Sequence, residues 1–349
     1  MLRILLSYTP FLVCLCWFVV FALTYRRNDT AKRFLTWFLG TCVILYLCHA
    51  LYFTSGLPHL MECLWTLCSL SVYPLYYAYI CKLTLRPLSN KRLALILLPG
   101  LLVALARYFF PEEGDTARKL LNALQIVPVC YYGFRHLHAF DKQLSEVYAD
   151  TEGRDTRAIK RLLIAFVFTS VYSAIANALG KHFFAQSLWL IALILTPITI
   201  LLCVLSYIGY RRSYSVEQFM HDNAIDSLPT TTGKHVEIGK ELEQLMHERQ
   251  FYLRRNLKIG DIAIETGICR TYISAYVNNV IGCTFSEFIN RFRVEHAKRL
   301  MLERKGTKLS VVAQLSGFSS EQSFYRNFYL FTQMKPSEWL AAELRQQAS

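Results

Sequence analysis

Residues 311–331 read VVAQLSGFSSEQSFYRNFYLF, and the pattern changes character at one glycine. Up to Gly317, the stretch LSVVAQLSG has the apolar spacing of a short helix, which the glycine stops. Ser319 and Gln322 follow at the spacing of a capping box, so a second helix is expected to start there. Phe324, Phe328 and Phe331 then recur at i, i+4 and i+7, a stripe that must be buried. At about 100° per residue, Gln322, Arg326 and Tyr329 project from the opposite face. Short helix, glycine turn, second helix: the grammar is helix-turn-helix.

Working outward, the same grammar occurs once more upstream, around Gly267. LKIGDIAIETG is a short helix with Ile259, Ile262 and Ala263 inward. CRTYISAYVNNVIG follows as a helix with Ile273, Val277 and Val280 on one face, ending at Gly282. Its outward face holds Thr271, Ser274, Ala275 and Asn278, with Arg270 flanking, and is short-armed and poor in charge. A longer helix joins the two copies, TFSEFINRFRVEHAKRLMLER, with Thr284 and Glu287 as a capping box. Phe288, Phe292, Ala297 and Leu300 form its core stripe, and Arg291, Arg293 and Lys298 lie off it. Upstream again, Ile238, Leu242, Leu245 and Met246 stripe a first helix. Glutamine can pair bidentately with adenine, and arginine with guanine or a phosphate, so the second copy carries a plausible reading face. A polar helix face is more often simply solvated, and one such copy is a weak signal. Two copies joined by a capped helix are a strong one.

The other end of the chain has a different solvent in view. LLSYTPFLVCLCWFVVFALTYRR, residues 5–27, is a long apolar run followed by an arginine pair. A helix needs roughly 20 mostly apolar residues to cross a bilayer, and about seven stretches qualify: 5–24, 34–54, 60–80, 92–110, 119–138, 161–183 and 187–209. The first lacks a small-residue cleavage site and is not read as a removed signal peptide. Of the 11 cysteines, most lie in or beside these runs as small hydrophobes, and Cys269 and Cys283 are single. The expected architecture is therefore all-α: a multi-span membrane bundle over 1–212, a Ser/Pro/Thr/Gly-rich linker over 213–235, and a helical domain over 236–345.

The net charge of +13 does not by itself indicate a nucleic-acid partner. Residues 1–235 hold 22 Lys+Arg against 13 Asp+Glu, and residues 236–349 hold 16 against 12, so most of the excess belongs to the apolar part. There it marks topology, because short cytoplasmic loops retain Lys and Arg. The connections after spans one, three and five are basic, and span seven ends in Arg211 and Arg212. TSGLPH has no Lys or Arg and PEEGD is acidic. The expectation is a multi-pass protein of the cell inner membrane, N-terminus outside and C-terminal domain in the cytoplasm. The outward loops are too short for a sensory domain, so a signal would enter through the bundle. Ionisable groups near the outer span ends are the candidates for sensing it: His49, His59, Glu62 and Arg107, with Lys181 and His182 beside them. The bland alternative is that such side chains snorkel to the interface.

FSEFINRFRVEHAKRLM, VAQLSGFSSEQSFYRNF and the closing MKPSEW resemble the AraC/XylS-type DNA-binding domain in order and spacing over roughly 237–345. The resemblance implies recognition helices near Arg270–Val280 and Ser320–Leu330. It places DNA contacts on Thr271, Ser274, Ala275, Gln322 and Arg326. Cys269 departs from the family's usual capping serine, Ala275 from a longer side chain, and Ser316 from a small apolar residue. The membrane bundle replaces the family's usual soluble ligand-binding domain, similar to membrane-embedded regulators of bacteria.

The implied function is a one-component, membrane-anchored transcription regulator without a cofactor. Its expected partners are double-stranded promoter DNA, the lipid bilayer, a second copy in a homodimer, RNA polymerase, and a small-molecule or protein signal. The alternative is a transporter or receptor whose helical tail makes protein contacts, and no repeat between halves supports transport. An enzyme is not expected, because HExxH, a P-loop and paired carboxylates in a span are all missing from the sequence.

Overall fold

The computed structural model of the chain describes residues 2–24, 29–54, 58–152, 154, 156–179, 188–211, 235–304 and 306–348. The linker segment 213–234, Lys181 and His182 lie outside the described residues. Among the described residues the elements are helices, with one isolated antiparallel bridge between Tyr148 and Lys258. The chain divides into two compact units, residues 1–140 with 156–217, and residues 141–155 with 218–349.

In the first unit the helices are α1 (Leu2–Thr24), α2 (Thr30–Thr54), α3 (His59–Leu83), α4 (Asn90–Phe109), α5 (Pro111–Val147, whose last turns belong to the second unit), α6 (Arg157–Leu179) and α7 (Leu188–Arg211). Each of the seven apolar stretches lies inside one of these helices over its described residues, apart from Phe110, which follows α4. Four helical segments are long and apolar enough to cross a membrane: Ile4–Thr24, Thr30–Tyr52, Asn90–Phe109 and Trp189–Arg211. Helix α1 packs on α2 and α7, α2 on α3, α3 on α4, and α6 on α7. The centre is filled by Leu35, Phe38, Tyr76, Ile80, Leu163 and Leu205 among others.

Helix α4 buries small residues and exposes large apolar ones. Its buried residues are Gly100, Ala104 and Arg107, whereas Leu95, Leu98, Leu101, Leu102, Leu105 and Phe109 are exposed. A soluble helix does the reverse, burying large apolar side chains against its neighbours. Small residues inward and leucines outward suit a lipid surround, where close backbone approach holds helices together. At Gly100 the approach is such that a β-carbon would sit 3.0 Å from Leu70 Cβ.

The second unit contains α8 (His235–Arg249), α9 (Ile259–Thr266), α10 (Arg270–Ala275) with a π-helical turn at Tyr276–Ile281, α11 (Phe285–Glu303), α12 (Leu309–Leu315), α13 (Glu321–Thr332) and α14 (Pro336–Ala348). Its second half packs on Val294, Ala297, Met301, Val312, Phe318, Phe324 and Phe328. Fully burying each of these phenylalanines contributes about 1.5–3 kcal/mol. Phe318, Phe324, Phe328 and Trp339 form a chain of edge-on rings 5.5, 5.5 and 5.8 Å apart, so the tryptophan of the closing MKPSEW motif ties α14 to α13. Pro336 opens α14, where a missing N–H costs nothing.

Candidate nucleic-acid interface

Two helix-turn-helix units are present, α9–α10 and α12–α13, joined by α11. Backbone geometry at each turn follows from glycine. Gly267 ends α9 at φ 72° and Gly317 follows α12 at φ 82°, a region that L side chains rarely adopt. A β-carbon on Gly317 would lie 2.5 Å from the Tyr252 carbonyl oxygen, so this turn also needs the space.

Helix α11 starts as its residues require. Thr284 Oγ1 accepts from the Glu287 amide at 3.3 Å, and Glu287 Oε2 accepts from the Thr284 amide at 2.8 Å. Arg293 lies elsewhere than its position off the phenylalanine stripe suggested: it is fully buried. Its guanidinium donates to the carbonyls of Tyr252 (2.7 Å) and Arg254 (2.8 Å) and to Asn290 Oδ1 (3.1 Å), and it lies over the Phe318 ring. Burial pulls its pKa down to about 10, and the Asp150 carboxylate pulls the other way, so it is charged at neutral pH. A buried arginine is tolerated here because three acceptors replace its water.

In the second unit the exposed residues of α13 include Gln322 and Tyr329, while Phe324 and Phe328 are fully buried on the other side. Arg326 is half-buried, its Nη2 3.5 Å from Ser323 Oγ. The start of α13 differs from the expected Ser319–Gln322 box by one residue. Ser320 is the capping residue and accepts from the Ser323 amide at 3.0 Å. The Ser319 amide instead donates to Asp150 Oδ2 at 3.1 Å. In the first helix-turn-helix Thr271 is exposed, and Arg270, Ser274, Ala275 and Asn278 are half-buried. Asn278 Nδ2 donates to Ser274 Oγ at 3.1 Å. Helix α10 has no side-chain cap at Cys269. Val280, expected inward with Ile273 and Val277, is 60% exposed, because the backbone passes into the wider π-helical turn before reaching it.

Asp150 has no counterpart in the sequence reading. It is 3% exposed, and its second oxygen accepts from Ser323 Oγ at 3.3 Å. It lies 169 residues from Ser319, in the connection after α5, and no local pattern announces such a pairing.

In the first unit the sensing candidates gather around Trp65. Arg107, 6% exposed, donates to Asp115 Oδ1 (2.9 Å) and Thr66 Oγ1 (3.0 Å) and lies 3.5 Å from Glu62 Oε2. Both Arg107 and Arg118 sit over the Trp65 ring, at 5.7 and 4.8 Å, and the His49 ring is 6.2 Å from it. His59 Nε2 donates to the Tyr108 carbonyl at 2.9 Å. Asp115, expected with PEEGD in a solvated outer loop, and Arg118, expected on the outer side, complete this network by pairing as helix neighbours at 2.8 Å. A cavity of about 130 Å³ lies beside it, lined by His49, Trp65, Arg118, Asn122, Tyr46 and Tyr73 among others.

Comparison with known proteins bears on the second unit. Residues 247–342 match a family described as a helix-turn-helix domain, and the chain thus carries an AraC-type domain of that kind there. Two uncharacterized HTH-type transcriptional regulators of Staphylococcus aureus, strains MSSA476 and N315, are each 27% identical over 99 residues. That is 28% of this chain and 13% of each relative. A probable transcriptional regulator of Photobacterium leiognathi, LumQ, is 30% identical over 88 residues, 25% of this chain and 35% of its own length. The chain therefore spans only a minor part of the relatives it matches. No solved structure matches.

Proposed function

We propose that the chain is a membrane-anchored, sequence-specific transcription regulator. In this reading α1–α7 hold it in the inner membrane, N-terminus outside, and the second unit reads promoter DNA from the cytoplasm. The observation that carries it is the two-faced α13: fully buried Phe324 and Phe328 on one side, Gln322, Tyr329 and Arg326 on the other. Gln322 is suited to an adenine edge and Arg326 to guanine or a phosphate, with Tyr329 packing beside them. Thr271, Ser274, Ala275, Asn278 and Arg270 give the first recognition helix a smaller reach, suited to a thymine methyl and to the backbone.

One observation also supports the topology. Residues 141–155, which follow α5, belong to the same compact unit as residues 218–349, which follow α7. Both must then lie on one side of a bilayer, as an odd number of crossings before each demands. The basic loops make that side the cytoplasm. The Trp65 network, with His49, His59, Glu62 and Arg107, is the proposed place where a small-molecule or protein signal biases helix packing. Its effect is a shift between two populations of the protein, a homodimer in the DNA-bound form that engages RNA polymerase.

The test is DNA binding by the full-length protein in lipid nanodiscs, against fragments of its own genome. Discrete sequences should be preferred over bulk DNA. Arg326→Ala should weaken binding to them by about 1–3 kcal/mol if the guanidinium meets a base. Equal affinity for every fragment would sink the proposal.

A further inference from the structure

The connection between α5 and α6 is built into the DNA-reading unit, and the contacts of residues 148–152 are distributed with a purpose. Tyr148 pairs with Lys258 in an antiparallel bridge, and the Ala149 amide donates to the Leu257 carbonyl at 3.0 Å, immediately ahead of α9. The Ala149 carbonyl accepts from Ser286 Oγ (2.8 Å) and Asn290 Nδ2 (2.9 Å) on the joining helix α11. Asp150 then takes the Ser319 amide and the Ser323 hydroxyl, and Glu152 takes the Ser320 hydroxyl, at the start of α13. Arg154 closes the segment on itself, its guanidinium 4.4 Å from the Tyr148 ring and donating to the Asp150 carbonyl at 3.1 Å. Four residues, Tyr148, Ala149, Asp150 and Glu152, thus touch the entry to the first helix-turn-helix, the helix between the two, and the entry to the second recognition helix.

We propose that residues 148–152 are a positioning strap that sets the two recognition helices relative to each other, with Asp150 as its main anchor. The inference rests on the DNA-reading function proposed above. The physical case is that Asp150 is buried and accepts from two donors, one a backbone N–H ahead of α13 and one a side chain in its first turn. A carboxylate there is favoured by the helix dipole and fixes where the helix begins. The strap is continuous in the chain with α5 and α6, so anything that displaces that connection withdraws the anchor. DNA reading is thereby made conditional on the membrane unit by a covalent route separate from the 213–234 linker.

The experiment compares full-length wild type, Asp150→Ala and Asp150→Asn in nanodiscs, by binding to a preferred operator and to random DNA and by hydrogen exchange without DNA. Asp150→Ala should lose about tenfold or more in operator affinity, the scale of a lost helix cap plus a buried hydrogen bond. Its affinity for random DNA should stay within about twofold, because phosphate contacts do not need both helices in register. Exchange should rise at residues 319–323 while α11 stays protected. Asp150→Asn, which keeps an acceptor, should fall between. If Asp150→Ala unfolds, the Asn variant decides by the same split. Unchanged operator affinity in either folded variant overturns the strap, as does an equal loss on operator and random DNA. A wild-type protein without any preferred operator refutes the DNA reading instead, and exchange at 319–323 still judges the anchor.

Discussion

Gly317→Ala is the substitution for which the structure permits the most explicit forecast. At φ 82° an L side chain is strained by about 1–2 kcal/mol. The added β-carbon would also lie 2.5 Å from the Tyr252 carbonyl oxygen and 2.7 and 2.8 Å from Leu253 Cα and C. Those are backbone atoms, and the segment cannot easily withdraw, since Arg293 Nε holds the Tyr252 carbonyl at 2.7 Å. Forcing such an overlap adds about 1–3 kcal/mol, for a total of about 2–5 kcal/mol. Gly267→Ala is the matched control: φ is 72° but nothing lies within 4 Å of its β-carbon, so only the strain remains. Native-state hydrogen exchange of the full-length protein in nanodiscs reads both, through the opening free energies of amides in α12 and α13 for Gly317 and in α9 and α10 for Gly267. If the two substitutions cost the same, the close approach of the second turn to residues 252–253 is refuted.

Other substitutions probe the same unit. Arg293→Met removes all three hydrogen bonds and takes the positive charge away from the buried Asp150 carboxylate. Global stability of the unit should fall by about 3–5 kcal/mol in the same exchange measurement. Thr284→Ala deletes the cap of α11 and should cost about 1 kcal/mol, read at the amides of residues 285–288. Ser316 is fully buried and its hydroxyl has no hydrogen-bond partner among the described residues. Ser316→Ala should therefore raise the opening free energy of α12 by about 1 kcal/mol, and a loss would mean that the hydroxyl is bonded.

Periodicity carried much of the architecture. The phenylalanine stripe of α13, the glycine turns and the Thr284–Glu287 box were all legible, because each depends on residues within one or two turns of each other. The seven apolar stretches were legible for the same reason, since length and apolarity are local. Three features were not. Arg293 looked like a surface residue because its acceptors, the carbonyls of Tyr252 and Arg254, lie about forty positions upstream. Val280 fell outside its stripe because helical spacing assumes 3.6 residues per turn and the backbone there is a π-turn. The true cap of α13 is Ser320, and the Ser319 amide that a Ser319–Gln322 box would use is taken by Asp150, 169 residues away. Non-local partners rewrite local grammar, and they do so here at the unit that carries the two helix-turn-helix copies.

The most direct test of the whole account is to crosslink the full-length protein to DNA in its own cells, isolate the membranes, and sequence what is retained. A regulator that reads DNA while lodged in the bilayer should bring down a few discrete promoter fragments with the membrane fraction, and Arg326→Ala should flatten those peaks. Recovery of the chain in the soluble fraction, or a uniform genomic background from the membranes, would contradict it.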